Sequence, residues 1–283
     1  ERWRTYTIPG PGEFGYDTWG DVPEEDRRGG SPWNSPSYDP ELNLIYTGVG
    51  VPIPWGSVQR GTGDGDVLYT NSTLALNADT GEIAWYFQHT PNDEWDLDHP
   101  FARLVVETEV SPGDVEWRNN GITSGNRRKI VTGIPGKTGI VWALDAATGA
   151  FLWAQPTNTQ NVVEDIDAES RRVLLNQALK FPQVGEPVFV CPSLLGGINW
   201  QATAYNPGTN TLFAPTNDVC MDLTLNEFRN RPGQHHGSAR VNRSIAPEAN
   251  GQVGMFTAMD LATGEPRWVY RQRAGIGGSV LST

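Results

Sequence analysis

The sequence contains no apolar run approaching the ~20 residues that a membrane-crossing helix needs, and no basic-then-apolar stretch at its start. Neither a spanning helix nor a signal peptide is expected within these 283 residues. Clusters of Lys and Arg are missing too, and 21 basic against 33 acidic side chains leave a net charge of −12. Nucleic acid, whose binding rests on neutralising phosphates, is thereby excluded as a partner, and an anionic ligand needs positive charge placed locally. Cysteine is nearly absent. Cys191 and Cys220 either form a disulfide, which would suit an exported protein, or stay as two buried thiols. What is abundant is turn chemistry: 32 Gly and 21 Pro beside 11 Trp suit a globular protein of short strands and many turns.

One pattern recurs three times: ALNADTGEIAW (75–85), ALDAATGAFLW (143–153) and AMDLATGEPRW (258–268). Each reads as a strand ending in Asp or Asn, a tight turn at Thr-Gly, and a second strand carrying Trp four residues past the glycine. Glycine supplies the positive φ such a turn needs. A Trp at fixed offset can lie flat over a neighbouring module and bury roughly 200 Å². The copies start 68 and then 115 residues apart, so the repeat is a β unit with insertions rather than a solenoid of constant period. A unit of about 45–50 residues and four strands is a propeller blade. ERW at 1–3 matches the tail of the motif and GGSVLST at 277–283 the start of a new inner strand. The expectation is about three whole blades of a larger propeller, in one partial domain over 1–283, with further blades on either side. Insertions at 10–30, about 155–185 and 222–244 read as irregular loops on a rigid scaffold, where binding groups tend to sit.

Residues 91–100, PNDEWDLDHP, pack Asp93, Glu94, Asp96 and Asp98 around Trp95. Like charges so close in an acidic chain make either a solvated loop or a site for something cationic. Two residues apart in an extended segment, Asp96 and Asp98 are expected to point to one side. Partly buried, the pair costs roughly a few kcal/mol unless a cation joins it.

Several stretches together resemble the pyrroloquinoline quinone (PQQ)-dependent alcohol dehydrogenases, eight-bladed propellers of the methanol and ethanol dehydrogenase type. They are GGSPWNSPSYDPELNLIYTG (29–48), TPNDEWDLD (90–98), PGKTG (135–139) and CPSLLGGINWQATAYNP (191–207), in the family's order, beside the Trp-docking turns. The resemblance runs end to end and covers roughly the middle half of a family member. It implies that Trp33 is the floor under the planar quinone, that Lys137 contacts the quinone oxygens, and that Asn199 hydrogen-bonds the cofactor. It implies that Asp96 takes the alcohol's hydroxyl proton beside a metal ion, and that Asp98 adds a ligand as in the lanthanide-using branch. It also pairs Cys191 with Cys220 as a disulfide.

The match has departures. Val51 in TGVGVPIPWG stands where the family has a metal-ligating Asn, and Ile276 stands where methanol-type members carry an aromatic cofactor contact. His235 and His236 in GQHHG read as a solvated loop, since adjacent histidines diverge. The sequons at 71–73 and 242–244 carry no meaning in a bacterial periplasm.

The expectation is an all-β partial propeller acting as a periplasmic quinoprotein that oxidises an alcohol to an aldehyde or ketone. It would use PQQ with Ca²⁺ or a lanthanide ion and pass electrons to cytochrome c, and a homodimer is compatible with it. Val51 supports a rival reading, a non-catalytic PQQ-like propeller serving as a binding or assembly scaffold. Trp33 argues against a third, a calcium-dependent propeller hydrolase.

Overall fold

The computed structural model describes residues 2–228 and 238–283. His235 and His236 lie outside the described residues, so the loop expectation for them is neither met nor refused. Strands dominate, and the one α-helix among the described residues is the single turn Ser57–Arg60.

Three antiparallel sheets form the frame. The first takes Ser37–Asp39, Leu44–Gly48, Ser72–Asn77 and Ile83–Gln88 in that order. The second takes Leu104–Val110, Asn126–Gly133, Ile140–Asp145 and Phe151–Pro156, with the short Trp117–Arg118 on its outer edge. The third takes Ala204–Asn206, Thr211–Asn217, Gly254–Asp260 and Pro266–Gln272. These are three blades of a β-propeller. Central strands such as Ile140–Asp145 read as near-continuous apolar runs because both their faces are covered, whereas Leu104–Val110 alternates buried and exposed at its exit.

The repeated turns are built alike. Asn77 and Asp145 accept the backbone N–H groups two and three residues on, and Gly81, Gly149 and Gly264 sit at φ +76°, +69° and +77°. Each glycine is also a landing place. A β-carbon on Gly149 would come within 2.5 Å of the Trp85 ring, one on Gly81 within 2.4 Å of Trp3, and one on Gly264 within 2.9 Å of Trp153. The Trp of one module thus lies on the turn of the next. Trp85 and Trp3 fix the contact by donating Nε1–H to Ala146 O (3.0 Å) and Ala78 O (2.9 Å). Apolar clusters fill the two spaces between blades, with Tyr46, Phe87, Trp142 and Phe151 in one and Phe101, Trp153, Leu212 and Met259 in the other.

Four expectations are corrected. Residues 163–175 form a hairpin, Val163–Asp167 paired with Arg172–Leu175, and the 222–244 insertion carries strand Ala239–Ile245, joined with Val219–Leu225 and Pro187–Val190 in a three-stranded sheet. The alternating VCMDLTL run explains this, burying Cys220, Met221, Leu223 and Leu225. Residues 277–283 form no strand, and neither do residues 2–6, although Trp3 docks as the motif requires.

Cys191 and Cys220 form the disulfide, tying the end of strand Pro187–Val190 to Val219–Leu225 across 29 residues of chain. Closing a loop of that length restricts the unfolded chain by about 3–4 kcal/mol. Replacing both cysteines by Ser in the full-length protein is expected to lower its unfolding free energy by about that amount, read from urea denaturation; unchanged stability would show that the neighbouring sheet holds the insertion unaided.

Candidate active site

Because neighbouring strands in each blade run in opposite directions, the connections sort onto two ends. The Thr-Gly turns join third and fourth strands and occupy one end. The opposite end gathers the segments leading into each first strand and the loops joining second to third strands. Trp33, Asp96, Asp98 and Asn199 lie in the former segments, ahead of Ser37, Leu104 and Ala204, and Val51 and Lys137 lie in the latter loops. Six residues spread over more than 160 positions therefore reach one end of the frame by topology alone.

Lys137 joins them. Its Nζ lies 2.9 Å from Asp96 Oδ2, 2.9 Å from Asp98 Oδ2 and 2.8 Å from the Asp96 carbonyl oxygen. Its backbone N–H donates to Asp98 O at 2.8 Å, locking the lysine loop to the acidic segment. The two carboxylates converge, but not from an extended segment as the i, i+2 rule supposed: Asp96 stands at φ +64°, in the left-handed region. The Val51 N–H donates to Asp98 Oδ1 at 3.2 Å, so position 51 contributes its backbone and no side-chain oxygen.

Trp33 borders the same carboxylate. A β-carbon placed on Gly50 would lie 2.8 Å from Asp98 Oδ1 and 3.5 Å from Trp33 Nε1, so the gap that glycine leaves separates the indole from the acid. The indole packs edge-on against Phe101 and stays 47% exposed, leaving a broad aromatic surface open. Asn199 comes near by another route: Gly197 N–H donates to Lys137 O at 2.8 Å, and a β-carbon on Gly196 would meet Lys137 Cβ at 2.8 Å. The Asn199 amide itself donates to Leu195 O at 3.1 Å. It lines a cleft of about 510 Å³ with Trp200, Arg243 and Ile276.

Burial sets the electrostatics. Desolvation pushes the Asp96 carboxyl up to about 7 even though the Lys137 ammonium opposes that shift. Burial would lower Lys137, but the facing carboxylates overcome it and hold the ammonium above its ordinary value. A carboxyl balanced near neutrality beside a fixed cation is suited to taking and releasing a proton.

The four acids of 91–100 divide into two pairs. Asp96 and Asp98 face Lys137, whereas Asp93 and Glu94 turn inward with Arg60. The Arg60 guanidinium is buried and donates to Asp93 O (3.0 Å), Pro54 O (2.7 Å) and Asn92 Oδ1 (2.5 Å). Glu94 accepts from Ser57 Oγ at 2.6 Å and from the Phe181 N–H at 3.1 Å. Trp95 anchors the segment from below through Nε1–H to Leu179 O at 3.1 Å. The crowding of like charge is thus answered by two basic side chains, and Arg60, remote in sequence, carried no signal of it.

The family described as the glucose/ethanol/alcohol dehydrogenase β-propeller domain, which is PQQ-dependent, matches residues 1–154. The chain belongs to the PQQ dehydrogenase propeller family. It is 32% identical over 264 residues to a lanthanide-dependent methanol dehydrogenase of Methylorubrum extorquens, covering 90% of this chain and 41% of that one. It is 34% identical over 226 residues to the quinohemoprotein alcohol dehydrogenase ADH-IIG of Pseudomonas putida, covering 76% of this chain and 30% of that one. A europium-containing methanol dehydrogenase superposes with a TM-score of 0.79 at 27% identity, over 95% of this chain and 44% of that structure. The chain spans about two-fifths of the length of the methanol dehydrogenase it matches.

The residues present fit one face of a PQQ site: an open indole, a buried ammonium held by two carboxylates and the Asp96 carbonyl, and an amide-lined cleft beside them. They do not by themselves make a metal site. Among the described residues no group of three or more acidic, His or Cys side chains could hold a cation, and a hard ion takes six or more oxygens. Asp96 and Asp98 are the two carboxylates this propeller segment could contribute.

Proposed function

We propose that this chain is the part of a quinoprotein alcohol dehydrogenase that carries its proton acceptor and the floor of its cofactor site. The observation that supports this best is the Lys137 ammonium held between Asp96 and Asp98 beside an exposed Trp33. When bound, PQQ supplies the two-electron oxidant for an alcohol. Asp96 takes the hydroxyl proton on its carboxylate. Lys137 keeps that carboxylate aimed and places positive charge where quinone oxygens gain electron density. Trp33 offers a flat apolar surface for stacking, and Asn199 gives an amide for a cofactor oxygen. Asp98 is proposed as a ligand of Ca²⁺ or a lanthanide ion together with Asp96, the remaining donors coming from outside the described residues. A periplasmic setting fits the disulfide, and a cytochrome c is the proposed electron acceptor.

The test is reconstitution of the full-length protein with PQQ and metal, followed by dye-linked oxidation of a panel of primary and secondary alcohols. Turnover with at least one alcohol is expected. Tight, stoichiometric quinone binding with no turnover would contradict the proposal and favour a scaffold.

A further inference from the structure

The carboxylate of Asp93 is 1% exposed and touches neither Lys137 nor the open end of the site. Its two oxygens accept the backbone N–H of Trp95 at 3.0 and 3.4 Å and that of Leu97 at 3.1 and 3.0 Å. Those are the backbone N–H groups of the two residues that flank Asp96 in the chain. Residue 96 itself stands at φ +64°, a conformation that costs an L-residue roughly 1–2 kcal/mol and persists only where its surroundings over-determine it. The Asp93 main chain is pinned in turn, its carbonyl accepting from Arg60 at 3.0 Å while the preceding Asn92 side chain accepts from the same guanidinium at 2.5 Å.

We propose that Asp93 is the positioning residue for Asp96: its buried carboxylate clamps both flanking N–H groups and fixes the left-handed turn from which the Asp96 carboxylate meets Lys137. The inference deepens the reading of Asp96 as proton acceptor and rests on it. Without the clamp, residue 96 relaxes toward extended backbone, where its carboxylate no longer meets the ammonium that now lies 2.9 Å away. Displacement of a reacting group by about 1 Å is enough to cost on the order of 100-fold in rate.

The experiment compares Asp93→Leu, which keeps similar bulk without acceptors, and Asp93→Asn, which keeps one acceptor oxygen, in the full-length protein loaded with PQQ and metal. Asp93→Leu is expected to lower kcat by about 100-fold with KM for the alcohol and bound-quinone absorbance nearly unchanged, and Asp93→Asn to recover most of that loss. Amide hydrogen exchange gives a readout independent of activity: residues 94–98 are expected to exchange at least about tenfold faster in Asp93→Leu, while strand Ile140–Asp145 keeps its protection. Wild-type kcat in Asp93→Leu, or exchange that rises equally across all three blades, overturns the inference. A wild-type protein that binds PQQ yet oxidises no alcohol overturns the reading of Asp96, and the exchange at 94–98 then decides by itself whether Asp93 holds the turn.

Discussion

Asp96→Asn in the full-length, PQQ-loaded protein is expected to lower kcat for alcohol oxidation by about 10²–10⁴-fold, the usual contribution of a positioned general base. The amide fills the same space and can still accept from Lys137, but it cannot take a proton. The fold should survive, because Lys137 retains Asp98 at 2.9 Å and the turn is held from below by the Asp93 hydrogen bonds. Removing a carboxyl that burial already holds up at about 7 also lifts a desolvation cost. Thermal unfolding within a few degrees of wild type, together with unchanged quinone absorbance, would localise the loss to the proton transfer. Full activity in this variant would remove Asp96 from the role of base.

Lys137→Met is expected to do more damage to stability and comparable damage to turnover. The methionine matches the length of the lysine stem, so packing against Gly196 is preserved, but two nearly buried carboxylates are left facing each other. Breaking a buried pair by deleting one partner typically costs about 3–5 kcal/mol. The pH dependence has a definite sign. In the metal-free protein the folded-state value of Asp96 is already raised by burial, and losing the ammonium raises it further. A carboxyl raised in the folded state binds its proton more tightly there than in the unfolded chain, so folding stability falls as pH rises through that window. The variant's deficit should therefore be larger at pH 8 than at pH 5 in urea denaturation of metal-free protein. A deficit independent of pH would mean that the carboxylates do not share the ammonium.

Much of the frame was legible because its signals are local. A Thr-Gly turn needs positive φ wherever it occurs, and a Trp four residues later has a fixed direction, so three copies reveal three blades without any tertiary information. The convergence of Trp33, Asp96, Asp98 and Lys137 followed from family resemblance; no spacing rule links positions 33, 96 and 137. Three features were not legible. The left-handed turn at Asp96 is imposed by hydrogen bonds to Asp93, and although Asp visits that region more readily than most residues, an Asp-Leu-Asp run does not by itself call for it. The buried Arg60 sits in GSVQRGTGDG, where polar and glycine residues on both sides read as exposed loop, and only the inward carbonyls of Pro54 and Asp93 show why a guanidinium is held there. The insertion 222–244 read as a loop because its strand alternation is interrupted by the NRPGQHHG stretch, while the disulfide and the apolar side of Val219–Leu225 bind it to the frame.

The most direct test of the site is a PQQ titration of cofactor-free full-length protein, followed by tryptophan fluorescence and quinone absorbance, in wild type and in Trp33→Ala. Trp33 is half exposed, so the substitution removes the stacking surface at the cost of one edge-on contact with Phe101. The expected result is saturable binding of one quinone by the wild type and binding weakened by about tenfold or more in Trp33→Ala, in line with the loss of an aromatic face. Wild-type protein that does not bind PQQ, or equal affinity in the two proteins, would contradict a quinone lying on the indole of Trp33.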